Sequence, residues 1–137
     1  MKETYQTLSV THPTGQYDVI VGEDLLSNLQ KLAHIKGPFV VVTDTNVGPL
    51  HADKISGALA VVTVPAGEAN KTLETVRFIY DQLFAAGLDR KGTLVALGGG
   101  VVGDMTGFVA ASYMRGIDFV QCPTTLLSMV DASVGGK

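Results

Sequence analysis

Gly98, Gly100 and Gly103 keep a G-x-G-x-x-G spacing directly after the apolar, β-rich run Thr93-Leu94-Val95-Ala96-Leu97. In that context glycines let a diphosphate approach the backbone, and the N–H groups of the opening helical turn face its charge. A tight strand-to-helix turn would also use glycine, but the run Gly98-Gly99-Gly100, followed through Val101 to the carboxylate of Asp104, holds more than a turn needs. The usual dinucleotide fingerprint places an acidic residue about 20 residues later, at the end of the next strand. There the sequence reads Gln121-Cys122-Pro123-Thr124. A carboxylate suited to ribose hydroxyls lies earlier instead, at Asp44 with Asn46 beside it, so a dinucleotide would stretch across several strand ends. An Asx turn or helix cap explains Asp44 equally well.

Other pairs carry weaker signals. Glu68 and Lys71 stand one helical turn apart and could meet a ribose or phosphate, though capping is the simpler reading. Thr124 and Thr125 offer two hydroxyls to a phosphate or a nicotinamide, or a helix N-cap. Asp131 and Lys137 suit a hydroxyl- and acid-bearing substrate, or a surface ion pair. His12, His34 and His51 do not cluster and form no H-x-x-x-H or H-E-x-x-H pair, so no metal site is expected among them. Cys122 reads as strand packing, not as a nucleophile.

These residues need a scaffold that collects strand ends. The runs Phe39–Thr43, Leu59–Val64, Thr93–Leu97 and Phe119–Cys122 are short, apolar and rich in β-branched residues, as buried parallel strands are. Between the second and third, Leu73, Val76, Phe78, Ile79, Leu83 and Phe84 recur at helical steps, which predicts an amphipathic helix over Lys71–Ala86 capped by Gly87. Helices are also expected over Glu23–Ile35, from Leu25, Leu26, Leu29 and Leu32, and over Asn46–Ala58, with Asn46 as cap and Pro49 in the first turn. Alternation through Leu8, Val10, Tyr17, Val19 and Val21 about His12-Pro13-Thr14-Gly15 predicts a β-hairpin at the sheet edge. The expected class is therefore α/β, a Rossmann-like, mostly parallel sheet with helices on both faces. Ligands of such sheets bind beyond the carboxyl ends of the strands. Every segment that follows a strand here is small or polar: Asp44-Thr45-Asn46, Pro65-Ala66-Gly67-Glu68, Gly98 to Asp104, and Pro123-Thr124-Thr125.

Composition narrows the function classes. With 137 residues the chain has room for one compact domain or part of a larger enzyme. Ten Lys and Arg against 13 Asp and Glu, with no basic run, leave no electrostatic footprint for nucleic acid. The apolar uncharged stretch Ile55 to Gly67 falls short of the roughly 20 residues that a membrane span needs. One cysteine excludes an internal disulfide framework. Without a secretory h-region at the start, the expected location is the cytoplasm.

Longer motifs carry a resemblance. Leu97-Gly98-Gly99-Gly100-Val101-Val102-Gly103-Asp104-Met105-Thr106-Gly107-Phe108, Ala110-Ala111-Ser112-Tyr113-Met114-Arg115-Gly116 and Pro123-Thr124-Thr125-Leu126-Leu127-Ser128-Met129-Val130-Asp131-Ala132-Ser133-Val134-Gly135-Gly136-Lys137 closely resemble the 3-dehydroquinate synthase family. Val42-Thr43-Asp44-Thr45-Asn46-Val47 and Pro65-Ala66-Gly67-Glu68-Ala69-Asn70-Lys71-Thr72 extend the likeness over nearly the whole chain.

The resemblance implies a shikimate-pathway enzyme that converts 3-deoxy-arabino-heptulosonate 7-phosphate to 3-dehydroquinate and phosphate. It implies NAD, returned unchanged, and a divalent metal, zinc or cobalt. Oxidising a ring hydroxyl acidifies the neighbouring C–H, phosphate leaves, the ketone is reduced again, and the opened ring closes by an aldol step. The metal polarises the oxidised oxygen, and because the substrate phosphate can carry a proton, the protein's work is largely positioning. By the same resemblance, Asp44, Asn46, Glu68, Lys71, Gly99, Gly100, Val101, Asp104, Thr124 and Thr125 contact NAD. Asp131 and Lys137 contact substrate, and Arg115 reaches the substrate phosphate of a neighbouring subunit in a homodimer. The family's metal ligands, a glutamate and two histidines, lie in a helical C-terminal domain past Lys137, so residues 1–137 are expected to be the NAD-binding domain. Three alternatives share this nucleotide half: another sugar-phosphate cyclase, a metal-dependent glycerol or alcohol dehydrogenase, and an autonomous NAD-binding module. Apolar surfaces that a second domain would cover are expected to make the isolated chain associate.

Overall fold

The computed structural model describes residues 4–132. Four short strands, β3 (Phe39–Asp44), β4 (Ala60–Val64), β5 (Thr93–Gly98) and β6 (Asp118–Pro123), form a fully parallel sheet in the order β4-β3-β5-β6. Because both faces of the central strands are covered, side chains alternate between two cores instead of between core and solvent. Val40, Val42, Leu94 and Ala96 pack with Ile79, Leu83, Val102 and Val109 from α3 (Leu73–Ala86) and α4 (Gly100–Ser112). Phe39, Val41, Val95 and Leu97 pack on the other face with Leu29 and Ile55. That alternation explains why the central strands read as unbroken apolar runs.

The strongest helical periodicity gives the most regular helix. α3 starts at Thr72, whose side chain accepts the Thr75 N–H at 3.2 Å, and ends at Gly87 in the left-handed conformation, φ 78°. The two weaker patterns do not give the long helices expected of them. Glu23–Ile35 breaks into a 3-10 turn (Leu25–Asn28) and a single α turn, α1 (Leu29–Leu32). Asp24 enters at φ 52° without making a cap bond, and His34 leaves at φ 55°, so only Leu29 is fully buried there. Asn46–Ala58 shrinks to α2 (Gly48–His51) and a 3-10 turn (Ala52–Lys54), because His51 at φ −133° breaks the helical path and Ile55 is already extended. Nor is Asn46 the cap: the Asp44 carboxylate accepts the Asn46 and Val47 N–H groups at 2.9 and 2.8 Å.

β1 (Tyr5–His12) and β2 (Gly15–Gly22) pair antiparallel about Pro13-Thr14, the expected hairpin. It does not extend the sheet. The hairpin forms a separate two-stranded sheet, with Leu8 and Val21 64% and 61% exposed.

Candidate nucleotide-binding site

Parallel strands deliver all four carboxyl ends to one edge of the sheet, and the strand order selects the crevice. From β3 the chain moves outward to β4, then returns past β3 to β5, so connection direction switches between β3 and β5. Their ladder stops at Val42–Ala96. One residue later the Thr43 hydroxyl, fully buried, donates to the Leu97 carbonyl at 2.8 Å and holds the two strands together where they separate. Thr43 has no assigned role in the sequence reading, although a hydroxyl ending a valine run was its signal.

Asp44 and the glycine turn flank this crevice. Oδ1 of Asp44 is engaged by the two amides of its Asx turn, which fixes the carboxylate and leaves Oδ2 with no protein donor among the described residues. Thr45 Oγ1 accepts the Ala66 N–H at 3.1 Å, tying the ends of β3 and β4 together. Asn46 is exposed beside them.

After β5, Gly99 is extended and α4 begins at Gly100, its first helical bond running from Gly103 N–H to the Gly99 carbonyl. The amides of Gly100, Val101 and Val102 precede that bond and have no partner within the helix. Gly99, Gly100 and Val101 are partly exposed. Three of the motif glycines also answer to packing. A Cβ at Gly98 would lie 2.8 Å from Val102 Cβ, one at Gly99 would lie 3.1 Å from Thr125 Cγ2, and one at Gly103 would lie 3.2 Å from Gln121 Oε1.

Beyond β4, Glu68–Asn70 forms a 3-10 turn, and Lys71 Nζ reaches Asp104 Oδ2 at 2.8 Å. Lys71 therefore does not cap α3, a role that Thr72 fills. Its hydrogen bond to Asp104, and then the charge of that carboxylate, push the ammonium above the usual lysine range. Beside the pair opens a shallow cavity of about 300 Å³, floored by Val76 and Met105 and rimmed by the exposed Leu73 and Phe108. A cavity that size takes one small ring or sugar, not a whole dinucleotide. Glu68 is exposed nearby.

Beyond β6, Thr124 donates its N–H to the Gly98 carbonyl at 3.0 Å, while its buried Oγ1 has no partner among the described residues. Thr125 is bonded to Ser128, a residue to which the sequence reading gives no part. Asp131 lies in the π-type turn Ser128–Ala132, its side chain outside the description; Lys137 lies outside the described residues.

Arg115 stands apart. It follows α4, whose 13 residues span about 20 Å, and so sits at the edge from which β6 departs, opposite Asp104 and the glycine turn. Met114, Arg115 and Gly116 are successively left-handed, at φ 47°, 69° and 108°. Among the described residues, no three His, Cys, Asp or Glu side chains come together to hold a metal ion, and no helix is long and apolar enough to cross a membrane.

Comparison with known proteins gives these positions a family. The family described as 3-dehydroquinate synthase N-terminal matches residues 61–137. The chain is 50% identical over 139 residues to a 3-dehydroquinate synthase of Ruthia magnifica subsp. Calyptogena magnifica, a match covering 96% of this chain and 39% of that one. The chain thus spans about two fifths of that relative. Among solved structures, 2-deoxy-scyllo-inosose synthase complexed with carbaglucose-6-phosphate, NAD+ and Co2+ superposes with a TM-score of 0.79 at 25% identity, over 92% of this chain and 36% of that one. The 2-epi-5-epi-valiolone synthase of Streptomyces hygroscopicus subsp. jinggangensis 5008, with NAD+ and Zn2+ bound, gives 0.69 at 31% identity, over 80% and 33%. With the family motif matched over more than half its length and a half-identical relative spanning nearly all of it, this chain belongs to the 3-dehydroquinate synthase family.

Proposed function

We propose that residues 1–137 are the NAD-binding domain of a 3-dehydroquinate synthase, which turns 3-deoxy-arabino-heptulosonate 7-phosphate into 3-dehydroquinate and phosphate in the cytoplasm. One observation carries the reading: Asp44, the glycine turn and the unpartnered buried hydroxyl of Thr124 share the carboxyl edge of one parallel sheet. These residues fit a dinucleotide. Asp44 keeps an oxygen for ribose hydroxyls, the amides at the start of α4 face anionic oxygens, and the Thr124 hydroxyl can donate to a neighbouring phosphate or amide. Lys71 and Asp104 border a cavity of sugar size, and Asn46 and Glu68 stand within the same row of loops. When bound, NAD supplies a reversible two-electron oxidation of the substrate.

Among the described residues no three His, Cys, Asp or Glu side chains come together to hold a divalent metal, and it is the resemblance that assigns the zinc or cobalt to a C-terminal domain of the whole protein. Asp131 and Lys137 are assigned to the substrate by resemblance. Arg115 is assigned by the same resemblance to the site of a second copy in a homodimer; in its own chain it lies past the far end of α4 from the glycine turn.

Calorimetric titration with NAD tests the nucleotide site, with Asp44→Ala and Gly100→Val as controls. Binding abolished by both variants is expected, and absence of binding to the wild-type chain rejects the reading. A second reading, another sugar-phosphate cyclase, draws on the two solved relatives. Product analysis of the full-length protein with heptulosonate phosphate, NAD and zinc or cobalt separates the two.

A further inference from the structure

We infer that Thr124 and Thr125, adjacent and chemically alike, divide their work: the Thr124 hydroxyl faces the dinucleotide, while Ser128 withdraws the Thr125 hydroxyl and makes that side chain a wedge against the glycine turn. The inference rests on the NAD reading above and makes Ser128 a positioning residue. Ser128 is buried, and every polar group of Thr125 is tied to its neighbourhood. Thr125 Oγ1 donates to Ser128 Oγ at 2.8 Å and accepts the Ser128 N–H at 3.1 Å. Ser128 Oγ in turn accepts the Thr125 N–H at 3.3 Å and donates to the Thr125 carbonyl at 3.0 Å. A hydroxyl that already donates and accepts has one lone pair left and no proton to offer an acceptor.

The ring of bonds also fixes where the Thr125 methyl points. It faces Gly99, where an added Cβ would come within 3.1 Å of it. Gly99 is therefore glycine because Thr125 is held against it, and the wedge sets the position of the backbone that leads into α4.

Thr124 is the opposite case. Its amide is used on Gly98, but its hydroxyl is buried with no partner among the described residues, an arrangement that costs stability unless something accepts or donates there. Two neighbouring threonines thus differ in the one property that decides which can bind.

NAD titration and thermal melting of the full chain test this together. Thr124→Val is expected to weaken NAD binding about tenfold or more, the usual cost of a hydrogen bond to a charged group, without lowering the melting temperature. Thr124→Ser should recover the affinity. Thr125→Val keeps the methyl and loses the hydroxyl, so it should lower the melting temperature and weaken NAD binding by less than about threefold. Ser128→Ala should weaken NAD binding about fivefold in the wild-type background and less than about twofold in the Thr125→Val background, because its effect passes through Thr125. Equal losses in the two valine variants, or the reverse order, overturn the division and leave the NAD reading standing. No binding by the wild-type chain overturns both.

Discussion

Lys71 Nζ lies 2.8 Å from Asp104 Oδ2, joining the segment after β4 to the helix after β5, the two strands that flank β3. Both side chains are well exposed, 38% and 49%, so water screens the pair. Its mark is on titration more than on stability. Asp104→Asn removes both the bond and the charge that raise the Lys71 ammonium, so its pKa should fall back toward 10.5. A lysine raised in the folded state adds stability below its unfolded pKa and loses it as pH climbs through the folded value. The wild-type protein should therefore melt slightly above the Asp104→Asn variant near neutrality, less so in high salt, and this small advantage should fade as pH climbs above 10.5. NMR titration of the lysine side chain and melting against pH check both statements.

Cys122 on β6 packs against the core on the α1 side of the sheet, and burial pushes its thiol up to about 12. In the unfolded chain the thiol ionises near its ordinary value of 9.0. Unfolding therefore releases a proton between those limits, and stability should drop as pH rises from about 9 to about 12. Cys122→Ala should flatten that limb. At about pH 8 the native thiol should resist disulfide reagents for hours and react within minutes in urea. Prompt labelling of the folded protein would contradict the burial.

Gly87 and Gly98 are required for different reasons, and alanine distinguishes them. At Gly87, φ is 78° and a Cβ meets nothing within 4 Å, so Gly87→Ala should cost about 1 kcal/mol from backbone conformation alone. At Gly98 the backbone is ordinary strand, but the Cβ would sit 2.8 Å from Val102 Cβ. Gly98→Ala must displace the start of α4, at about 1–3 kcal/mol, and should weaken NAD binding as well. Urea melts with NAD titration separate the two: Gly87→Ala should leave affinity untouched.

The same residues mark how far the sequence could be read. α3 was legible because its periodicity, Thr72 and Gly87 agree with one another. Leu25, Leu26, Leu29 and Leu32 repeat as convincingly, but left-handed turns at Asp24 and His34 bound the run, and apolar spacing does not encode them. Alternation revealed the hairpin but not its separation from the sheet, since strand pairing depends on where the edges β4 and β6 end up. The row of strand ends was visible because parallel strands align their loops. Which hydroxyl of Thr124-Thr125 is spent on Ser128 was not, because that depends on side-chain geometry three residues away. The packing demand on Gly98, Gly99 and Gly103 was hidden for the same reason: the motif looks alike whether a phosphate or a neighbouring side chain requires the glycine.

Arg115 gives the sharpest test of assembly. The length of α4, about 20 Å in one chain, separates it from the glycine turn, so the proposed role of Arg115 calls for a second copy to supply it. In the full-length protein, Arg115→Ala and Lys137→Ala should each abolish turnover as homodimers. Mixed and re-equilibrated, half of the dimers become hybrids, and each hybrid pairs one doubly defective site with one intact site. Activity should return to about a quarter of wild type. If Arg115 acted within its own chain, both sites of every hybrid would be defective and mixing would restore nothing. Dehydroquinate formation before and after mixing, with sedimentation to confirm the exchange, decides between the two arrangements. Met114 and Arg115, both non-glycine and both left-handed, set the direction in which the guanidinium leaves the chain. Met114→Gly should therefore lower activity in the dimer while leaving NAD affinity unchanged, because it loosens the aim of Arg115 without touching the crevice.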